Sequence, residues 1–149
     1  MMRTFYLATS LERAEEAKAL AIEIRALGLT PTYEWWTHGS VQTEGPEKIR
    51  EVAMAEIDGV KSADLFVCLL PGGRGTHTEL GIAIATSLER VYKNYREDTA
   101  LVLVGPTEQD GRTCAFYLHP HVNERFATVG ELLAWLRSWR RCNPLPRSA

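Results

Sequence analysis

The stretch Pro71-Gly72-Gly73-Arg74-Gly75-Thr76-His77-Thr78-Glu79 gathers several groups capable of chemistry. Glycines let backbone N–H groups approach a ligand, and a helix that follows them adds partial positive charge at its N-terminus. Arg74 offers a planar fork of donors for a phosphate or carboxylate. The spacing matches neither GxxxxGK[ST] nor GxGxxG. The first strand-to-helix turn, Ala8-Thr9-Ser10-Leu11, has no glycine, which argues against a dinucleotide cofactor held in the usual way. Glu79 has two competing readings. Thr76-His77-Thr78-Glu79 spells a capping box, with Thr76 at the N-cap and Glu79 at N3, its carboxylate occupied by backbone donors. Alternatively, Glu79 is a nucleophile at the carboxyl edge of a sheet, beside Tyr6 from the first strand.

A second set of carboxylates comprises Glu56 and Asp58 on one helix, with Asp64 opening the next strand. Acids on helix surfaces are usually solvated, so each competes with a plain surface role. Trp35 and Trp36 are adjacent; in an extended segment only one of them faces the core. The other would stack on a planar ligand or cover a subunit contact. His38, His77, His119 and His121 do not make a metal set, because only the last two are close and no carboxylate spacing completes a site. Neither a metal nor a cofactor is expected.

These residues must be positioned by a chain of 149 residues, 45% hydrophobic and 24% charged, which is ordinary for one folded domain. The expected domain covers residues 1–142, with 143–149 as a flexible tail. A formal charge of −2 gives no basic footprint for nucleic acid. No window approaches a membrane span and the first residues are too short for a signal peptide, so a cytoplasmic protein is expected. Cys68, Cys114 and Cys142 form no CxxC and suggest neither a disulfide framework nor a zinc knuckle.

Apolar runs at Thr4–Ala8, Leu65–Leu70 and Ala100–Val104 read as strands, the last two buried on both faces. Leu29–Tyr33 and Phe126–Thr128 read as shorter ones. Helical spacing runs from Leu11 to Leu27, with Ser10 as N-cap and Gly28 past the end. Further helices are expected from Pro46 to Ser62, from about His77 into the late eighties, and from Val129 to Trp139. Residues 90–98 are polar and give no clear boundary. Strands alternating with helices imply an α/β fold: a doubly wound, flavodoxin/Rossmann-like parallel sheet of about five strands with helices on both faces. Right-handed crossovers then bring the turn after Tyr6-Leu7-Ala8, the Trp35–His38 loop and the Gly72–Glu79 loop to one edge.

Three segments in this order resemble the nucleoside 2-deoxyribosyltransferase family, which includes the 2'-deoxynucleoside 5'-phosphate N-hydrolases. They are Tyr6-Leu7-Ala8, the EIDGVKSAD run from Glu56 to Asp64, and Gly75-Thr76-His77-Thr78-Glu79-Leu80-Gly81-Ile82-Ala83. The resemblance spans about residues 3–136 and extends to Trp35-Trp36 and His119-Pro120. It implies cleavage of an N-glycosidic bond, with Glu79 as the nucleophile and Tyr6 orienting it. The family's further carboxylate falls on Glu56, where aspartate is usual, with Asp58 two residues later; either is a candidate to contact sugar or protonate the base. Gly73 stands where the family often carries Asp or Ser.

The expected activity is therefore cleavage of a (deoxy)nucleoside through a covalent glycosyl-enzyme on Glu79, with transfer of the 2-deoxyribosyl group to another nucleobase. An alternative is a nucleoside 5'-monophosphate N-glycosidase in which the Gly72–Gly75 loop and Arg74 hold the phosphate. A second is a non-catalytic nucleotide-binding module. An interaction protein is a weaker reading, resting on Trp35, Trp36, Trp135 and Trp139. The expected substrate-binding set is Ala8, Trp35, Trp36, His38, Gly72, Gly73, Arg74, Gly75, Thr76 and His77. The family also favours a homodimer or higher homo-oligomer.

Overall fold

The computed structural model describes residues 2–93 and 99–144. Most of the unbounded polar run, 94–98, and the end of the expected tail, 145–149, lie outside the described residues. In chain order the elements are β1 (Thr4–Ala8), α1 (Ala14–Ala26), β2 (Thr30–Pro31), α2 (Pro46–Ser62), β3 (Leu65–Leu69) and α3 (Arg74–Tyr92). Then come β4 (Ala100–Val104), a small hairpin of β5 (Glu108–Gln109) and β6 (Arg112–Thr113), β7 (Val122–Phe126) and α4 (Val129–Cys142). Short 3-10 turns occupy Leu11–Arg13, Trp35–Thr37 and Ala115–Leu118.

Five strands pair in parallel in the order β2-β1-β3-β4-β7, a flavodoxin-like α/β arrangement. Helix α1 packs with α4, and α2 with α3. The apolar runs of β3 and β4 supply the centre, since a strand covered on both faces has no use for polar alternation. Asp64 locks the opposite edge from the ligand loops. Its Oδ2 accepts from the backbone N–H groups of Arg3 and Thr4, at 2.8 and 3.0 Å, and from the Thr4 hydroxyl at 3.0 Å. It joins the starts of β1 and β3, and so belongs to the fold rather than to a site.

Two expected strands shift. The second is only Thr30–Pro31, curtailed by a proline that cannot donate to a ladder. The last is Val122–Phe126, placed earlier than expected, because this edge strand carries Asn123, Glu124 and Arg125 and its apolar signal is thin. Trp135 and Trp139 pack against the core, Trp135 with its ring 5.8 Å from that of Phe126, so they do not form a free aromatic surface. No described helix is long and apolar enough to cross a membrane.

Candidate active site

At the carboxyl edge of β1 and β3, a cavity of about 410 Å3 is lined by residues from the three loops that the topology brings together. Thr9 to Glu12 follow β1, Trp35 and His38 to Gln42 follow β2, and Gly73 to Thr76 open α3. Glu79 and, from α2, Ile49, Val52, Ala53 and Glu56 complete it.

The first turn of α3 settles which group caps it. The helix begins at Arg74, three residues before the expected start, with Gly73 at the N-cap and Thr76 at N3. Thr76 Oγ1 accepts from the Gly73 N–H at 3.0 Å. The capping role anticipated for Glu79 is thereby filled by Thr76, and Glu79 sits deeper in the helix with its carboxylate free of the backbone. A Cβ on Gly72 would lie 2.4 Å from Thr76 Cγ2, so glycine there makes room for this cap.

Glu79 is paired instead with Tyr6, whose hydroxyl donates to Glu79 Oε1 at 2.5 Å. The Tyr6 ring is fully buried, stacked on Phe66 at 6.0 Å with 5° between planes. Close to Cδ2 and Cε2 of the same ring lies Gly59 of α2, a residue that sequence reasoning did not single out. A Cβ on Gly59 would come within 2.9 Å of Tyr33 Cβ and 3.0 Å of Tyr6 Cε2, so glycine lets the helix rest on the ring. The core thus holds the hydroxyl in one place while only the carboxylate reaches the cavity.

Burial pushes the Glu79 carboxyl up to about 8; the Tyr6 hydroxyl opposes this rise, and the charge of Glu56 adds to it. The Tyr6 phenol is raised too, by burial first and then by the Glu79 charge beside it. Glu56 is half-buried in the same cavity and its carboxyl is likewise raised by burial, with His38 pulling the other way. Perturbed carboxyls sharing a cleft are what acid–base and nucleophilic chemistry require.

Glu79, Glu56, Trp35, His38, Gly73, Arg74, Gly75 and Thr76 line this cavity, with Tyr6 directly beneath Glu79. Asp58 does not join them: it is exposed, two residues and about 200° around the helix from Glu56. Ala8 is fully buried in β1, one residue short of the lining. The tryptophans depart from the extended reading. Residues Trp35–Thr37 form a 3-10 turn, so both indoles point inward, 4% and 7% exposed, in an edge-to-face contact at 5.8 Å. Trp35 Nε1–H donates to the Leu7 carbonyl at 2.7 Å while the ring lines the cavity; Trp36 is core alone.

His77 faces a second cavity of about 590 Å3, which shares no lining residue with the first and is bounded also by Pro71, Pro106, Arg112, Cys114 and Tyr117. Its Nδ1 meets the Gly73 carbonyl at 2.7 Å and its Nε2 meets the Tyr117 hydroxyl at 2.6 Å. A carbonyl only accepts, which assigns the proton to Nδ1 and makes Nε2 the acceptor from Tyr117. Among the described residues, no three His, Cys, Asp or Glu side chains come together as a metal site needs.

Eighteen solved chains match this structure. One is the Clostridium botulinum CMP N-glycosidase BcmB, at 17% identity and a TM-score of 0.58, covering 91% of this chain and 99% of that one. The two share a fold. No family model matches the sequence, and no curated protein matches it. The BcmB likeness extends over nearly the whole of both chains.

Proposed function

We propose that this chain is an N-glycosidase acting on a nucleoside 5'-monophosphate, with Glu79 as the nucleophile. The observation that carries the reading is the Tyr6–Glu79 pair, at 2.5 Å, in a cavity shared with a second raised carboxyl, Glu56. A non-catalytic module is favoured by a Glu79 spent on a helix cap and a Tyr6 that faces the core; Thr76 makes the cap instead, and the buried Tyr6 keeps its hydroxyl on Glu79.

In this reading ionised Glu79 attacks the anomeric carbon of the ribose as the C–N bond breaks, and the bonding pair leaves with the base. Glu56 donates a proton to the departing base and then takes one from the incoming acceptor. Water as acceptor releases the sugar phosphate and frees Glu79; a second base as acceptor gives deoxyribosyl transfer by the same residues. The 5'-phosphate lies at the start of α3, where Arg74 and the first backbone amides, which have no intrahelical acceptor, line the cavity. Trp35, Val41 and Val52 supply apolar wall for the base. The homo-oligomer implied by the resemblance belongs to this proposal and is read by sedimentation velocity.

The test is release of free base from ribo- and deoxynucleosides and their 5'-monophosphates, with and without a second base, beside a Glu79→Ala blank. Release from monophosphates without an acceptor is the expected result. Base exchange only when an acceptor is present makes the protein a transferase. Absence of turnover across the panel overturns the N-glycosidase reading.

A further inference from the structure

We propose that Tyr117 and His77, which stand behind the Gly73 loop and outside the catalytic cavity, are positioning residues that set its selectivity for a 5'-phosphate. The inference rests on the monophosphate reading above and assigns the control of that selectivity.

The loop between the two cavities is built with its cavity side open. Gly73 and Gly75 both line the catalytic cavity, on either side of Arg74. Gly73 has an ordinary extended backbone, with φ −87° and ψ −170°. A Cβ there would meet only Ser10 Cβ, at 3.7 Å, and one at Gly75 would meet nothing within 4 Å. Neither glycine is demanded by the turn or by packing. The Gly73 amide is taken by Thr76, so the missing side chains matter by leaving open the approach to the next amides, those of Arg74 and Gly75 in the first turn of α3.

A phosphate at this place is attracted by those amides and repelled by any carbonyl that swings toward it. Gly73, which lines the cavity, contributes one such carbonyl. Its backbone bond from the His77 N–H is long, at 3.3 Å, whereas the His77 imidazole donates to the same oxygen at 2.7 Å. The imidazole therefore supplies the tighter hold that keeps this carbonyl turned into the helix.

That hold depends on the proton being at Nδ1. The Gly73 carbonyl selects that tautomer, and the Tyr117 hydroxyl holds the ring in place by donating to Nε2 at 2.6 Å, its own ring stacked on the imidazole at 5.7 Å with 26° between planes. Tyr117 is itself fixed from β7: the Arg125 guanidinium donates twice to its carbonyl, at 2.6 and 3.0 Å. Without the hydroxyl the imidazole keeps its Nδ1 proton but loses the bond at its far side, so the ring can turn and slacken its hold on the Gly73 carbonyl.

The experiment measures binding of a nucleoside 5'-monophosphate and of the matching nucleoside by calorimetry, using the Glu79→Gln protein so that no turnover intervenes. Adding Tyr117→Phe is expected to weaken the monophosphate about tenfold while the nucleoside stays within about twofold. His77→Ala has the same expected effect. Free imidazole, entering through the second cavity, is expected to restore most of the loss, a response that a merely unstable variant would not show. Equal losses for both ligands, or no loss for either, overturn the inference while leaving the N-glycosidase reading untouched. A Glu79→Gln protein that binds monophosphate no better than nucleoside overturns the monophosphate reading and this inference with it.

Discussion

The hydroxyl of Tyr6 donates to the carboxylate of Glu79 at 2.5 Å, across 73 residues of chain. The donor belongs to the core and the acceptor to the cavity. Whatever fixes the Tyr6 ring therefore fixes the Glu79 carboxylate, the proposed nucleophile.

Tyr6→Phe removes the one interaction that holds the Glu79 carboxyl down against burial. In the unsubstituted protein the carboxyl titrates near 8, so kcat/KM rises with pH toward that value as the nucleophile ionises. In Tyr6→Phe the acid limb moves to higher pH, and the rate above the limb falls on the order of 10–100-fold because the carboxylate is no longer held in place. A pH–rate profile for each protein checks both effects. An unmoved limb would contradict the role given to the hydroxyl.

Glu79→Gln is expected to lose turnover and gain stability. A folded carboxyl near 8 against about 4.5 unfolded means the native state holds its proton more tightly. Stability is unaffected below the unfolded value, falls as pH rises through the interval, and levels off above 8. The glutamine has no proton to lose and is spared about 3–5 kcal/mol of this loss at alkaline pH. Urea denaturation at pH 5 and pH 9 measures it: the variant's advantage should be small at the first and large at the second.

Glu56 and Asp58 separate cleanly. Glu56→Gln removes the proposed acid and also a charge that raises Glu79, so activity falls and the acid limb moves to lower pH. The rate loss expected is on the order of 100-fold or more. Asp58→Asn, on the exposed side of the helix, is expected to change neither rate nor limb. Kinetics on the two single variants decide the assignment.

Two helix glycines should respond to alanine with opposite signs. Gly81, inside α3, would place its Cβ in open space, so Gly81→Ala should gain about 0.5–1 kcal/mol from helix propensity. At Gly59 the new methyl group would strike Tyr33 and Tyr6, and overpacking of about 1–3 kcal/mol outweighs that gain. Gly59→Ala should also lower kcat by displacing the Tyr6 ring. Thermal denaturation of both variants, with rates for Gly59→Ala, provides the check.

The central strands and α2 could be read from sequence because their signals are strong. Continuous apolar runs mark β3 and β4, and Pro46 sits at the start of α2 where its missing N–H costs nothing. The start of α3 was harder. Gly73 has no side chain to announce a cap, and Thr76 folds back from N3, so the same letters suggested a helix beginning later. Glu56 and Asp58 could not be told apart by spacing, since the rotation of α2 is set by Gly59 resting on Tyr6. His77 followed the loop in sequence but faces away from the cavity, a direction decided by Tyr117, forty residues on.

Of the four tryptophans in the chain, Trp35 alone lines the cavity that holds Glu79 and Glu56. Its indole nitrogen is fastened to the Leu7 carbonyl, so the fluorophore is held still at the wall where a base would lie. A nucleobase arriving beside that ring should change its emission without any label being attached. Occupancy of the site can then be followed optically, ligand by ligand, before any product is looked for.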